Sequence, residues 1–125
     1  MFIHLGAEGY RRLAADAFDA RCRIEVGVRA IPGLEVRGKP QTTLLAFGAA
    51  TDAPPFDVFA VADRLLAVGG WFVDRQKPPD SLHMTVNAIH KGFVDEFLVD
   101  LRSCVTEVVG RQIEGDHTRA YATLE

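Results

Sequence analysis

Gly69-Gly70-Trp71, Lys77-Pro78-Pro79 and Ser81-Leu82-His83-Met84-Thr85-Val86 form the stretch whose reading decides the fold. The paired glycines stop a helix, because only glycine enters the left-handed conformation without penalty. A strand is predicted to open on Trp71, and the double proline makes a rigid turn. From Ser81 onward apolar and polar residues alternate, which predicts a second strand. That alternation puts Leu82, Met84, Val86 and Ala88 on one face and His83, Thr85 and Asn87 on the other. The first is a core face. The second is polar, and it serves as a solvated surface, a domain interface or the wall of a site.

Working outward, Tyr10, Leu13, Ala17, Ile24, Val28 and Ile31 recur at helical spacing, so a helix is expected over 8–30, ended by Pro32-Gly33. Short strands follow at 34–37 and 43–47, separated by Gly38, Lys39 and Pro40. After a loop over 49–55, Asp57 is placed as the N-cap of a second helix carrying Val58, Val61, Ala62, Leu65 and Val68. Gly92 breaks the chain again, and Val94, Phe97, Leu98, Leu101, Val105 and Val108 mark a third helix. No element is predicted for the polar segment Gly115-Asp116-His117-Thr118-Arg119. The order helix, strand, strand, helix, strand, strand, helix, with short links between neighbouring strands, predicts an α+β fold. It would be a small antiparallel sheet of three to four strands with about three helices on one face. Residues 1–112 would form this unit, and 113–125 a polar tail.

With 125 residues, 48% hydrophobic and 25% charged, the chain suits one domain with a core of its own. A net charge of −3 with scattered basic residues argues against a nucleic-acid footprint. Apolar runs are far shorter than a membrane span, and the first residues lack the pattern of a signal peptide, so a cytoplasmic location is expected. Cys22 and Cys104 each fall in a helical pattern and read as reduced core or boundary residues.

Chemistry-bearing motifs are sparse. His4, His83, His90 and His117 do not pair at metal-ligand spacing, and neither Cys-x-x-Cys nor His-Glu-x-x-His occurs, so no metal site is expected. No Gly-x-Ser-x-Gly elbow supports a serine nucleophile, although composition leaves a Ser/His/Asp triad open. His90-Lys91 imitates the dipeptide in which pyridoxal-phosphate decarboxylases place their cofactor lysine. Such a lysine must be desolvated. Here Gly92 and a new helix follow at once, so Lys91 reads as a solvated turn residue. His83 is the better candidate, as an interface residue or as a neighbour of an anionic ligand. Gln76, at a strand end, either reaches a site or stabilises the turn.

A series of segments carries a family resemblance: Ile31-Pro32-Gly33-Leu34-Glu35-Val36-Arg37-Gly38-Lys39-Pro40, Phe56-Asp57-Val58-Phe59, Val61-Ala62-Asp63, Gly70-Trp71, Gln76-Lys77-Pro78-Pro79, Ser81-Leu82-His83 and Phe97-Leu98-Val99-Asp100-Leu101-Arg102. Together they resemble the C-terminal region of sphingosine-phosphate lyases, within the group II pyridoxal-phosphate-dependent decarboxylase family that includes glutamate decarboxylase. Leu5-Gly6-Ala7-Glu8-Gly9-Tyr10 also looks like the start of this region in bacterial members. Each piece is weak alone; their order and spacing over about 5–109 are specific.

The resemblance implies that 1–112 is the C-terminal small domain of a fold-type I enzyme. The cofactor lysine, the aspartate paired with the pyridine nitrogen and the stacking histidine would lie in a preceding large domain, the expected partner. Pyridoxal 5'-phosphate would then belong to the complete enzyme, a homo-oligomer, and no catalytic or cofactor-binding residue would be in this chain. Gln76, Pro78, Pro79, His83 and Thr85 become candidates for a substrate cleft or domain interface, and the match at His90-Lys91 becomes coincidence. Phe72 and Asp74 stand where relatives often carry asparagines, and Asn87 where they often carry threonine, which weakens transfer of substrate specificity.

Three readings follow. The first is the C-terminal portion of a carbon–carbon lyase, either carboxy-lyase or aldehyde-lyase, inactive alone. The second is a free-standing, non-catalytic binding or assembly module that uses the polar sheet face. The third, more remote, is a hydrolase built on His83 with a nearby Ser or Cys.

Overall fold

The computed structural model describes residues 6–38, 44–77, 79–86, 88–115 and 121–122, with the backbone alone at 6, 88–90 and 121–122. Helix α1 (Gly6–Arg29) leads into strands β1 (Leu34–Val36) and β2 (Leu44–Ala49). Helix α2 (Val58–Gly69) precedes the hairpin β3 (Asp74–Lys77) and β4 (Ser81–Thr85). A 3-10 helix (Ala88–Phe93), helix α3 (Val94–Arg111) and strand β5 (Tyr121–Ala122) complete the order. The predicted series of helices and strands is thus present, with additions at both places where the chain leaves β4 and α3.

The sheet has five strands in the order β1-β2-β4-β3-β5. The pairs β1/β2 and β3/β4 are antiparallel, as their short connections predict, and β2/β4, which are separated in the chain by α2 and β3, are antiparallel as well. Strand β5 is a correction. The segment beyond Gln112, expected to form no element, supplies a strand parallel to β3, with Tyr121 opposite Gln76. Its path back is anchored by the Gly115 N–H, which donates to Asp57 Oδ2 over 2.9 Å, and by Ile113 packed on the core.

Local chemistry explains the element ends. Asp57 caps α2 as predicted, accepting from the Phe59 N–H at 3.0 Å. Gly70, at φ 69, closes α2 by donating to Leu66 O, and the Trp71 N–H reaches Leu65 O. That second bond holds Trp71 in the helix cap, so β3 opens at Asp74 rather than at the tryptophan. Strand β4 likewise stops at Thr85, and Ala88 enters the 3-10 helix instead of extending the alternating face.

The core lies between the sheet and the helices. Ala20, Ile24 and Val28 of α1, Phe59 and Leu65 of α2, and Leu101 and Val108 of α3 meet Phe47 and Leu82, all essentially inaccessible. The apolar stripe of α1 is covered only from Ala17 onward; Tyr10 and Leu13 stay exposed. Gly27 gives α1 its close approach to α3, since a Cβ there would fall 2.3 Å from Leu98 Cδ1. Among the described residues no helix lies on the other sheet face.

Candidate functional site

Register decides which residues share the open face. In the antiparallel pairs His83 lies opposite Ala46 on one side and Asp74 on the other. Ser81 opposes Gln76, and Thr85 opposes Leu44. Directly opposed residues point the same way, so Ala46, Asp74, Gln76, Ser81, His83 and Thr85 form one face. The helix-covered face takes the alternate positions, where Arg75 opposes Leu82 and reaches Asp63 of α2 at 2.5 Å.

His83 sits at the middle of the open face. Its Nε2 is 3.0 Å from Ser81 Oγ. Burial pushes the imidazole below its ordinary value, while the Asp74 carboxylate pulls partly in the opposite direction. Ser81 is itself only 4% exposed, and its hydroxyl is shared between the His83 ring and the Gln76 carbonyl.

Two basins flank the histidine. One, of about 330 Å³, reaches the helix side: Ile24 of α1 and Val94 and Phe97 of α3 wall it together with Trp71, Phe72 and Phe93, and Asp74 and His83 form its polar side. The other, of about 350 Å³, includes Arg37, Asp74, Gln76, His83 and Thr85. Arg37 crosses the sheet over Gly48, where an added Cβ would meet its Nε at 2.7 Å, and its Nη2 donates to Ala49 O at 2.9 Å. Trp71 is fixed in place: its Nε1 donates to Asp100 Oδ2 at 2.8 Å, and its ring meets Phe97 edge-on at 5.4 Å.

Of the residues singled out from sequence, Gln76, His83 and Thr85 come together on this face. The Gln76 carbonyl also accepts from Ser81 Oγ at 3.4 Å, so the residue ties the hairpin as well as lining the basin. Pro79 lies exposed in the β3–β4 turn, and Pro78 lies outside the described residues. Sequence reasoning missed Arg37, Phe72 and Asp74 as members of the same surface. The alternation Phe72, Asp74, Gln76 carried the signal, once paired in register with His83.

Lys91 does not fit a cofactor-bearing amine. Its Nζ lies 3.0 Å from Asp16 Oδ1 and 3.7 Å from Asp19 Oδ2 of α1, in an exposed ion-pair cluster. Hydrogen bonding and attraction to those carboxylates raise its pKa, the reverse of what a carbonyl-reactive lysine requires. Arg23 completes this clasp, at 3.3 Å from Asp95 and 3.4 Å from Lys91 O. Among the described residues no group of three or more His, Cys, Asp or Glu side chains is placed to hold a metal ion, and no helix is long and apolar enough to cross a membrane.

No family model matches the chain. It is 38% identical over 106 residues to sphingosine-1-phosphate lyase of Arabidopsis thaliana, covering 85% of this chain and 19% of that protein. The solved structure of sphingosine-1-phosphate lyase from Burkholderia pseudomallei superposes with a TM-score of 0.72 at 36% identity, over 82% of this chain and 22% of the other. Glutamate decarboxylase of Lactobacillus brevis gives a TM-score of 0.73 at 19% identity, over 82% and 25%, a likeness of fold. The chain therefore spans about a fifth of the length of the curated relatives it matches.

Proposed function

We infer that this chain, a homologue of one segment of the sphingosine-1-phosphate lyases, works as the small domain of a pyridoxal-phosphate-dependent carbon–carbon lyase. The observation that carries the reading is the continuous match over most of this chain to only a fifth of each relative. The open sheet face supports it. Four antiparallel strands present exposed and half-buried polar groups on a side that no helix covers among the described residues, which suits a face packed against a larger domain.

In this reading the cofactor supplies an electron sink on the large domain. The residues of this chain bind and orient rather than react. Gln76, Pro79, His83 and Thr85 stand at the cleft or interface, with residues 1–112 as the body of the domain that contains them and β5 added to its sheet. Covering the face excludes water from its polar groups and strengthens their electrostatic action at the rim of the site. The isolated chain has no lyase activity. The complete enzyme is a homo-oligomer of the cytoplasm.

Borohydride fixation tests the division of labour. The isolated chain, incubated with pyridoxal phosphate and reduced, acquires no pyridoxyl group at a defined lysine, by mass spectrometry. A stoichiometric pyridoxyl group on Lys91, lost in Lys91→Ala, overturns the reading.

A further inference from the structure

We propose that the open sheet face is complementary to itself, so that two copies of this chain pair face to face across a two-fold axis when no larger domain covers it. The inference stands apart from the small-domain reading, because it concerns the chain by itself.

Register places four residues in one row across the face. The Arg37 N–H donates to Ala46 O at 2.8 Å, Ala46 lies opposite His83, and His83 lies opposite Asp74. The row therefore runs Arg37, Ala46, His83, Asp74, from the end of β1 across β2 and β4 to β3. Its midpoint falls between β2 and β4. With strands about 4.8 Å apart, its charged ends are roughly 14 Å apart at Cα. Within one chain Arg37 turns along the sheet over Gly48 instead, and its ion pair is with Glu35.

A two-fold axis along the strands through that midpoint exchanges the two ends of the row. Two such sheets, packed about 10 Å apart and nearly aligned, bring Arg37 of each copy to Asp74 of the other. They also bring His83 of each copy over Ala46 of the other. Ala46 is the small residue of the row and lines the basin of about 350 Å³ beside Arg37, ample for one imidazole. The same axis brings Leu44, 57% exposed, to Thr85. Charge thus meets opposite charge, and a large side chain meets a hollow, as an isologous interface requires.

Arg37 has the most to gain. Its Nη2 donates to Ala49 O at 2.9 Å, its Nη1 lies 3.7 Å from Glu35, and its buried Nε has no partner. Nη1, only loosely held, is the group that turns to the carboxylate. A carboxylate from a second copy adds a charge-assisted bond to a guanidinium left incompletely satisfied.

Sedimentation equilibrium of the 125-residue chain over a range of concentrations tests the pairing. A reversible dimer is expected. Arg37→Asp and Asp74→Arg, each alone, set like charges opposite each other at both ends of the row. Each raises the dimer dissociation constant about tenfold or more. A 1:1 mixture of the two variants sets opposite charges at both ends, and it dimerises within about threefold of the unaltered chain. Mixing rescues only a contact between copies, never damage to the fold of one variant. Ala46→Gln fills the hollow that receives His83 and also weakens the dimer, which keeps the test decisive if a charge variant folds poorly. Val99→Glu, on the exposed side of α3, leaves the dimer unchanged.

A chain that stays monomeric at every concentration overturns the proposal. So does a dimer that survives either charge variant or Ala46→Gln, one that Val99→Glu weakens, or a mixture of folded variants that fails to dimerise. The two readings fail separately. Lysine-linked pyridoxyl on the isolated chain contradicts the small-domain reading, and any of these sedimentation results contradicts this one.

Discussion

The two faces of the sheet are made by the same strands and differ in what covers them. On the helix side Phe47 and Leu82 are fully buried, and even the charged Arg75 is enclosed and answered by Asp63. On the open side the residues one step along are Ala46, His83 and Asp74, with Leu44 57% exposed at the end of the row. On the helix side the core residues are covered by α1, α2 and α3. The open side holds a half-buried histidine, a carboxylate and the basin beside Arg37, features whose electrostatic action strengthens when water is removed. The contrast teaches that one side of the sheet carries the core, while the other is the side on which the proposed function rests.

Substitution should break that contrast unequally. Phe47→Ala, on the helix side, is expected to cost about 3–5 kcal/mol in urea denaturation, whereas Thr85→Ala, on the open side, stays within about 0.5 kcal/mol. Similar costs for both would mean that the open face is part of the folding core.

Gly69→Ala comes next, at about 1–3 kcal/mol, the usual cost of overpacking a fitted site. A Cβ at Gly69 would fall 2.2 Å from Trp71 Nε1 and 2.7 Å from Asp100 Oδ2, displacing the indole from its partner. A red-shifted, more quenchable Trp71 emission checks it, and unchanged emission would show that the ring is not pinned. Asp57→Ala is smaller, at about 1 kcal/mol, the typical loss of an N-cap. It removes acceptors for both Phe59 and Gly115, so faster hydrogen exchange should appear at Gly115 as well as in the first turn of α2.

The smallest effect is a pH slope. Burial lowers the folded-state pKa of His83 below the ordinary value of 6.5, against the opposing pull of Asp74. As pH falls through 6.5 the unfolded chain takes up the proton first, so this contribution to stability is present above that value and declines towards the folded-state pKa. His83→Gln should flatten the acid-side slope of melting temperature against pH. A slope unchanged in the variant would assign it to another group.

What was legible in the sequence was local. Asp57 as a cap, Gly70 as a helix stop and the alternation through Leu82, His83 and Met84 depend on neighbours a few residues away, and each lies where its pattern puts it. The misses are long-range. Strand β5 is two residues whose pairing spans from Gln76 to Tyr121, too short to show a period. Arg75 is buried through Asp63, a partner on another element that a polar residue in a strand does not announce. Trp71 missed its strand because a cap hydrogen bond claimed its N–H. The open face was legible as a polar face, but Arg37 and Asp74 joined it only through register. The family came from ordered segments, not from periodicity.

A chimera tests the central claim most directly, that the open face is the functional side. In it, this chain replaces the matching segment of the Burkholderia pseudomallei lyase, and lyase activity is compared for His83→Glu, on the open face, and Val99→Glu, on the exposed side of α3. The account predicts an active chimera that His83→Glu disables and Val99→Glu leaves intact, with both variants folded. Equal activity in the two variants, or loss confined to Val99→Glu, would contradict it.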